Sequence, residues 1–381
     1  MPCNVNSSAT GVRVPGKRTL KILLVAPSLD SVGGQSVQAN LLLKGLGNSR
    51  SLEVMFQPID PRLPFPFRGL QRVKYIRTLC TFALYVAQLT KAMRRCDLVH
   101  VFSASYFSFL LAPTPAIYLA RYLKKPIILN YHSGEAEDHL RRWPSARKAL
   151  SQVDRLVVPS GYLADVFKQF GLQAQVVSNA VDLGAFRFRR RPAPRPMFLV
   201  NRNFEAHYGV DCVLRAFAEI QRQCSEASLT VAGDGPLRAS LHELAEALSL
   251  RNIRFVGRVT PERMPALYDE HDLWLNASTV DNMPLSILEA YASGLAVVTT
   301  GAGGIPYIVE NNRTGMVVKG GDCESLATAA LTLVRQPELF FQLVTNGREE
   351  CKKYTWDMVR QGWESVYAEL GPLHKESART T

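Results

Sequence analysis

The chain has 381 residues, of which 47% are hydrophobic and 20% charged, and its formal net charge is +12. This length excludes a single compact core and suits two soluble globular domains of near-equal size. Seven cysteines show no CxxC or Cys/His spacing, so the sequence predicts reduced thiols and neither a zinc site nor a disulfide framework. Residues 1–19 have no apolar run, so we expect a loose tail and not a signal peptide.

The positive charge is concentrated in the first half of the chain. Residues 1–183 contain 23 basic and 10 acidic side chains, residues 184–196 five arginines and no acid, and residues 197–381 17 basic and 23 acidic side chains. A basic first half predicts contact with an anion, such as a membrane face or a lipid-phosphate acceptor. Nucleic acid is the least favoured partner because no nucleic-acid motif is present.

The first predicted strand is the apolar run Leu20–Ala26, which leads through Gly33-Gly34 into a helix that ends near Gly47. Two glycines at a strand-to-helix turn allow the backbone N–H groups to approach a phosphate or sugar, but they are equally consistent with a plain tight turn. A second strand is expected at Glu53–Asp60, before a proline-rich loop.

A long helix is predicted from about Gly69 to Arg95, basic at both ends and uncharged from Thr78 to Thr90. Thirteen uncharged residues span about 20 Å as helix, which is short of the ~30 Å of bilayer hydrocarbon, so the helix is not a transmembrane span. Its apolar positions are expected to face the domain core. Contact of its basic ends with an anionic membrane surface remains the alternative.

A histidine stands at the end of a predicted buried strand, Pro126–Tyr131, which follows another strand at Leu98–Phe102 and a helix interrupted near Pro113. At the carboxyl end of a parallel strand, His132 points into the crevice where open α/β sheets bind ligands. The acidic residues that follow it, from 135 to 138, are interpreted as a solvated loop and helix start, with contact to an acceptor as the alternative. The strands at 155–159 and 174–178 complete the first domain.

An arginine- and proline-rich linker at residues 184–196 precedes the second sheet, which begins at Met197. Further strands are expected near residues 229–232, 253–256, 273–276 and 315–318. Helices are expected to begin at the turn Gly233–Pro236 and at Thr260-Pro261-Glu262.

The run from Asn276 to Pro306 organises the second half as strand, loop, helix, strand and glycine-rich turn. The helix is predicted to begin near Asn282, a good N-cap type, with Pro284 in its first turn. Asp281 precedes this helix and Glu289 lies about two turns inside it. Helix-start N–H groups favour an anion, and a carboxylate further along can hold sugar hydroxyls.

Several of these motifs together are similar to glycosyltransferase family 4. Asp281 and Glu289 stand at the two ends of the E-x7-E signature of retaining enzymes, and Gly303-Gly304-Ile305-Pro306 follows where the family has its GGIP turn. Residues 179–182 resemble the NGVD turn and residues 233–236 the GDGP turn. The resemblance covers roughly residues 20–370. It implies the GT-B fold, in which two Rossmann-like, doubly wound parallel-sheet domains face each other across a cleft.

The implied domain organisation has a first, acceptor-binding domain and a second, nucleotide-sugar domain, and a last helix that crosses back to the first. The boundaries are 1–19 (tail), 20–183 (first domain), 184–196 (linker), 197–353 (second domain), 354–370 (crossing helix) and 371–381 (tail).

The resemblance also implies a role for each site residue. His132 lies beside the transferring sugar, Arg202 neutralises the donor diphosphate, Asp281 meets the sugar hydroxyls, and Glu289 holds the ribose hydroxyls. Asp281 replaces the family's glutamate and is one methylene shorter. The further residues implied at the donor are the Gly33-Gly34 loop, Gly233, Gly257 beside the base, and the helix start formed by Asn282, Met283, Pro284 and Leu285.

The family pattern also has Gly-Arg, a short loop and then Lys-Gly, and the lysine of this pattern is missing here. Tyr208 precedes Gly209 where the lysine is expected, so Arg202 must carry more of the phosphate neutralisation. No protein nucleophile and no Asp-x-Asp metal signature accompany these motifs. The resemblance implies a retaining transfer with the nucleotide-sugar as co-substrate, and the missing signature leads us to expect no cofactor or metal.

The predicted function is transfer of a sugar from a UDP-sugar or GDP-mannose-like donor to a glycan or lipid-linked acceptor, in cell-surface or exopolysaccharide synthesis. The expected location is cytoplasmic, with peripheral association at the inner face of the membrane. Two alternatives are a GT-B nucleotide-sugar 2-epimerase and a non-catalytic scaffold at the membrane surface. The spacing of Asp281 and Glu289 and the position of Arg202 favour transfer.

Overall fold

Two parallel sheets with helices on both faces form the framework of the chain, as the computed structural model shows. The structure describes residues 19–30, 33–49, 51–63 and 74–371. Within these residues each sheet has six strands. The prediction of two doubly wound α/β domains is therefore confirmed.

The first sheet has the strand order β2-β1-β3-β4-β5-β6. Its strands are β1 (Leu20–Ala26), β2 (Leu52–Pro58), β3 (Leu98–Ser103), β4 (Ile127–Tyr131), β5 (Arg155–Val158) and β6 (Gln175–Val176). Its helices are α1 (Gly34–Gly47), α2 (Lys74–Met93), α3 (Tyr106–Leu111), α4 (Pro113–Tyr122), α5 (Ala136–Arg142), α6 (Pro144–Leu150) and α7 (Gly161–Gln169). The central strands are continuous apolar runs because both faces of the sheet are covered.

The second sheet has the order β12-β11-β10-β7-β8-β9. Its strands are β7 (Met197–Asn201), β8 (Ser228–Ala232), β9 (Ile253–Gly257), β10 (Leu273–Asn276), β11 (Ala296–Thr300) and β12 (Met316–Val318). The remaining helices are α8 (Val210–Gln223), α9 (Arg238–Ala247), α10 (Met264–Glu270), α11 (Leu285–Ser293), α12 (Cys323–Arg335), α13 (Pro337–Cys351) and α14 (Trp356–Leu370).

Alternate residues of the central strands pack on opposite faces of each sheet, as the two-residue period of a strand requires. In β1, Leu23 and Val25 belong to the core under α2, whereas Ile22 and Leu24 pack with Trp363 of α14. The last helix of the second half therefore covers one face of the first sheet. The hydroxyl of Tyr367 on α14 also lies 2.8 Å from Nδ1 of the buried His100 on β3.

The arginine-rich segment 184–196 is anchored to the second domain through Arg191, whose side chain is only 2% exposed. Its Nε donates to Asp272 at 2.6 Å and its Nη1 to the carbonyl of Gly294 at 2.6 Å, while Nη2 donates to the carbonyl of His271. Asp272, fully buried, also accepts from Arg189 and Arg195. One carboxylate thus fixes three arginines of this segment at the amino end of the second sheet.

Some predicted boundaries were wrong. Helix α2 ends at Met93 and not at Arg95, and its predicted start near Gly69 lies outside the described residues, as do both predicted tails except their inner ends. Helices α9 and α10 begin a few residues later than the turns that were expected to start them. The predicted break near Pro113 is confirmed, since α3 ends at Leu111. Among the helices that the structure describes, none combines the length and the hydropathy that a membrane span requires.

The expectation that all cysteines are free thiols was also wrong. Cys212 at the start of α8 and Cys323 at the start of α12 form a disulfide, with their Cα atoms 5.2 Å apart. The two residues are 111 positions apart in the chain, so no local spacing could have indicated the pair. The free cysteines of the described residues are Cys80, Cys96, Cys224 and Cys351.

Candidate functional site in the interdomain crevice

The carboxyl ends of the two sheets meet at a crevice between the domains. The strand order reverses between β1 and β3 in the first sheet and between β10 and β7 in the second, and ligands of open α/β sheets bind at such switch points. The two sides touch. Asn282 donates to the carbonyl of His132 at 3.3 Å, and Asn179 donates to the carbonyl of Met283 at 3.1 Å.

Arg202 is the central cation of the crevice and immediately follows β7. It forms an ion pair with Asp281, and the two side chains are 9% and 10% exposed. Its Nη1 donates to the Ser286 hydroxyl at 3.1 Å and its Nη2 to the Ser278 hydroxyl at 3.3 Å. The planar guanidinium group can donate two parallel hydrogen bonds to one phosphate. In this structure the guanidinium is paired with the carboxylate of Asp281.

Tyr208 occupies the position of the expected lysine, and the guanidinium of Arg202 lies over its ring. The centroid of its ring is 4.3 Å from Cζ of Arg202, a cation–π contact. Burial raises the pKa of the Tyr208 hydroxyl, so the ring remains neutral. The ring of the neighbouring His207 packs against Tyr208 in a tilted arrangement, with ring centroids 4.2 Å apart. Arg202 therefore contributes the positive charge here and Tyr208 orients it.

The backbone of Asp281 is held between two glycines, one from each domain. A Cβ on Gly134 would lie 2.9 Å from the Asp281 carbonyl carbon, and a Cβ on Gly303 only 2.0 Å from its carbonyl oxygen. Gly303 also has a φ of +52°, in the left-handed region that side chains disfavour. These close approaches set the distance between Asp281 and the first domain.

The predicted start of the next helix was wrong. Helix α11 begins at Leu285, and Pro284, with φ −67° and ψ 122°, is its N-cap residue. Asn282 does not cap the helix because its side chain contacts the first domain, where it accepts from the Ser160 hydroxyl and donates to the His132 carbonyl. Leu285 approaches Gly34, where a Cβ would lie 3.7 Å from its methyl group. The helix start still faces the crevice.

Glu289 lies on α11, partly buried, and its Oε2 accepts from the hydroxyl of Tyr268 at 2.9 Å. Burial raises the pKa of Glu289 to about 7, although the Tyr268 hydrogen bond opposes this rise. A carboxylate with this pKa changes charge near neutral pH. Its free oxygen can accept from a hydroxyl of a bound ligand.

His132 lies opposite this helix, at the end of β4. Burial lowers its pKa to about 3, so the imidazole is neutral at any ordinary pH. Its ring stacks on Phe102, with centroids 4.8 Å apart and planes within 8°. Among the described residues Nε2 of His132 has no hydrogen-bond partner, and the ring lines a cavity of about 10 Å³ beside Asn130.

Two family models together match the chain from residue 32 to residue 350. Residues 185–350 match "Glycosyl transferases group 1", and residues 32–185 match "Glycosyltransferase Family 4". The chain belongs to glycosyltransferase family 4. The resemblance that the sequence motifs indicated is confirmed.

Curated members of family 4 are similar to the chain at low identity. The sulfoquinovosyl transferase SQD2 of Arabidopsis thaliana is 26% identical over 284 residues, which is 68% of this chain and 54% of that protein. The D-inositol 3-phosphate glycosyltransferase of Salinispora arenicola is 26% identical over 354 residues, 82% of this chain and 79% of that protein. The match thus spans little more than half the length of the plant relative.

Solved structures show the same fold. The Anabaena protein HepE in complex with UDP-glucose aligns with a TM-score of 0.72 and 17% identity, covering 92% of this chain and all of that one. At this identity the likeness concerns the fold alone, and it confirms the GT-B architecture.

The other glycines of the family pattern lie at the ends of strands and at a helix start. Gly33 is the N-cap position of α1, Gly257 ends β9, and Gly233 lies behind Arg202. A Cβ on Gly233 would lie 2.0 Å from the Arg202 carbonyl oxygen, and its φ is +149°, so only glycine lets the backbone of Arg202 sit here.

Sequence reasoning missed several residues that contact the site. Ser278 and Ser286 bond Arg202, and Tyr268 bonds Glu289. One signal was available in the sequence: Asn201, just before Arg202, stands where the family 4 pattern has glycine. In the described part of the chain, no three His, Cys, Asp or Glu side chains are grouped as metal ligands.

Proposed function

We propose that this family 4 chain is a retaining glycosyltransferase that moves a sugar from a nucleotide diphosphate to a glycan or lipid-linked acceptor. The observation that carries the proposal is the position of Arg202. Its guanidinium lies at the start of α11 with Asp281 and Ser286, at the switch point of the second sheet and opposite His132. The UDP-glucose bound by HepE supports a nucleotide-sugar as the donor class.

The diphosphate exchanges partners with Asp281 in this mechanism. When the donor enters, its phosphates take the donors of Arg202 and Ser286, and the released Asp281 carboxylate accepts from the sugar hydroxyls. Negative charge grows on the leaving diphosphate as the anomeric bond stretches, and preorganised donors stabilise that charge most in the transition state. Arg202 supplies the positive charge among these donors, because Tyr208 adds none.

The first domain supplies the acceptor side. The departing phosphate takes the proton of the acceptor hydroxyl on the face from which it leaves, so no protein nucleophile is needed and the anomeric configuration is retained. His132, neutral at working pH, offers one ring nitrogen to the sugar without competing with Arg202 for the phosphate. Glu289 holds the ribose, which fixes the nucleotide in the second domain.

Replacing Arg202 by Gln tests this assignment. The side chain keeps a polar amide but loses the charge and the fork, and loss of one such donor lowers kcat by about 100- to 1000-fold. Calorimetry with UDP-, GDP- and ADP-sugars first identifies the donor. Three results would contradict the proposal. They are a product of inverted anomeric configuration, epimerisation of the donor sugar when no acceptor is present, and an unchanged kcat in Arg202→Gln.

We also propose that the first domain associates with an anionic membrane surface. On α2 the side chains of Ile76 and Leu79 are 43% and 70% exposed, and three exposed cations follow at the end of this helix. Helices that bind the membrane interface typically combine exposed apolar side chains with basic ones. The three cations are Lys91, Arg94 and Arg95.

Vesicle co-sedimentation tests the membrane proposal. Neutralising Lys91, Arg94 and Arg95 together to Gln is expected to weaken binding to vesicles that contain anionic lipid, by about 1 kcal/mol for each cation at the surface. The control neutralises three exposed cations of the second domain, Arg222, Arg313 and Lys352. Equal co-sedimentation of both variants would exclude this helix as the contact.

A further inference from the structure

A chain of three hydrogen bonds runs through the second domain and ends on Glu289. The indole Nε1 of Trp274 donates to Oδ1 of Asn201 at 2.5 Å. The amide Nδ2 of Asn201 donates to the hydroxyl oxygen of Tyr268 at 2.7 Å. That hydroxyl lies 2.9 Å from Oε2 of Glu289 and 3.1 Å from the carbonyl of Ser286.

The direction of every bond in this chain follows from its first member. An indole N–H can only donate, so it fixes the oxygen of the Asn201 amide toward Trp274 and the NH₂ group toward Tyr268. The Tyr268 oxygen is then an acceptor, and its single proton is left for Glu289 or for the Ser286 carbonyl. The Glu289 oxygen is closer and, when ionised, is the stronger acceptor.

Burial makes this last bond important for the charge of Glu289. Trp274 and Tyr268 are fully buried, and the pKa of Tyr268 is raised well above its ordinary value, so its hydroxyl remains a donor. Burial favours the neutral form of Glu289, and the donated proton opposes it. Tyr268 on α10 is the titratable group that contacts Glu289, and Arg202, on the loop after β7, is the cation whose charge reaches the Tyr268 hydroxyl.

We propose that Tyr268, held by Asn201 and Trp274, is a positioning residue that aims the Glu289 carboxylate and keeps it ionised for the ribose of the nucleotide. The inference rests on the proposed function, because that function assigns the ribose to Glu289. It concerns this chain in particular, since the amide that orients Tyr268 belongs to Asn201, where family 4 has a glycine without side chain.

The test is the pH dependence of nucleotide binding in the full chain. Calorimetry from pH 6 to 9.5 uses whichever of UDP, GDP and ADP binds the wild type most tightly, and compares wild type with Tyr268→Phe. Phenylalanine keeps the buried ring and removes the donor. The matched control is Tyr291→Phe, another buried tyrosine of this domain, whose hydroxyl faces the Ile308 carbonyl at 3.4 Å.

The wild type and the control are expected to share a binding midpoint near the pKa of Glu289, about 7. Loss of a hydrogen bond to a charged group raises the midpoint of Tyr268→Phe by about one to two pH units. The affinity of Tyr268→Phe for the nucleotide is then about 5- to 50-fold weaker than that of wild type at pH 7. At pH 9.5 the two affinities are within about twofold of each other. Titration of the nucleotide phosphate is common to all three proteins.

An unmoved midpoint in Tyr268→Phe, or a loss of affinity that is equal at pH 7 and 9.5, would overturn the inference. If that variant does not fold, Asn201→Ala replaces it and is expected to move the midpoint in the same direction by less. Glu289→Gln distinguishes a wrong ribose assignment for Glu289 from a wrong role for Tyr268. If it binds like wild type, the ribose assignment fails and the inference with it; if it binds weakly while Tyr268→Phe has the wild-type midpoint, only the inference fails.

Discussion

Replacing Arg191 by Met is expected to destabilise the second domain strongly. The side chain is buried, and its donors reach Asp272, the carbonyl of Gly294 and the carbonyl of His271. Burial lowers the pKa of Arg191 more than the partner Asp272 raises it, so the charge is held at a desolvation cost that the hydrogen bonds offset. Methionine fills similar space but leaves the carbonyls of Gly294 and His271 without this donor.

The loss in free energy of unfolding depends on which buried groups keep a partner in Arg191→Met. Removing one partner of a buried ion pair costs about 3–5 kcal/mol. Asp272 retains Arg195 at 2.6 Å and Arg189 at 3.1 Å, so its charge is not left unpaired. The two buried carbonyls lose their donors, at about 1–3 kcal/mol each. We therefore expect a loss of about 3 kcal/mol, near the lower bound for the pair.

Urea unfolding followed by tryptophan fluorescence, to which the buried Trp274 of the second domain contributes, measures this loss. Arg191→Lys is expected to lie between wild type and Arg191→Met, because an ammonium group cannot reach all three acceptors. The control is Arg190→Met, since Arg190 is exposed and its loss should change stability by less than about 0.5 kcal/mol. Equal urea midpoints for Arg191→Met and Arg190→Met would refute the reasoning.

Four further predictions concern the crevice, the disulfide and pH. Glu289→Ala should abolish transfer through lost donor binding while the circular dichroism spectrum is retained; unchanged turnover would remove the site assignment. Gly134→Ala should raise the donor KM without a large change in thermal stability, because its Cβ pushes against Asp281; an unchanged KM would contradict this. Reduction of the Cys212–Cys323 disulfide should lower the stability of the second domain by about 2–5 kcal/mol, measured against a Cys212→Ser variant that dithiothreitol leaves unaffected. The midpoint of thermal unfolding should fall as the pH drops from 6.5 toward 3, since burial lowers the pKa of His100, His132 and His139 and the unfolded chain takes up those protons; a midpoint independent of pH would show that these rings are solvated.

The sequence predicted the fold well because its signals are local. The apolar runs of β1 and β4 and the helical spacing of Leu285 and Leu288 arise within a few residues of each other. The same holds for the order of motifs that indicated the family.

Features set by distant residues were not predictable. Asn282 has the composition of an N-cap, but its amide is engaged by the first domain, so the helix begins later. Tyr268 contacts Glu289 from 21 positions away, and nothing in its local pattern distinguishes it from a core aromatic. An arginine-rich run such as the one around Arg191 normally indicates an exposed segment, and only tertiary structure shows that one of its members is buried.

The two crossings between the domains lie side by side. The backbone N–H of Val181, just before the first crossing, donates to the carbonyl of Tyr354 at 2.8 Å, and Val181 pairs with Thr355 just before the second. Beyond Val181 the chain is anchored to the second domain through Asp272. Only a few residues of each connection between the domains are therefore able to bend. Any widening of the crevice is therefore a swing about one hinge line through Val181 and Thr355. Probes placed at the outer lip of the crevice would move furthest, and probes beside Val181 would hardly move.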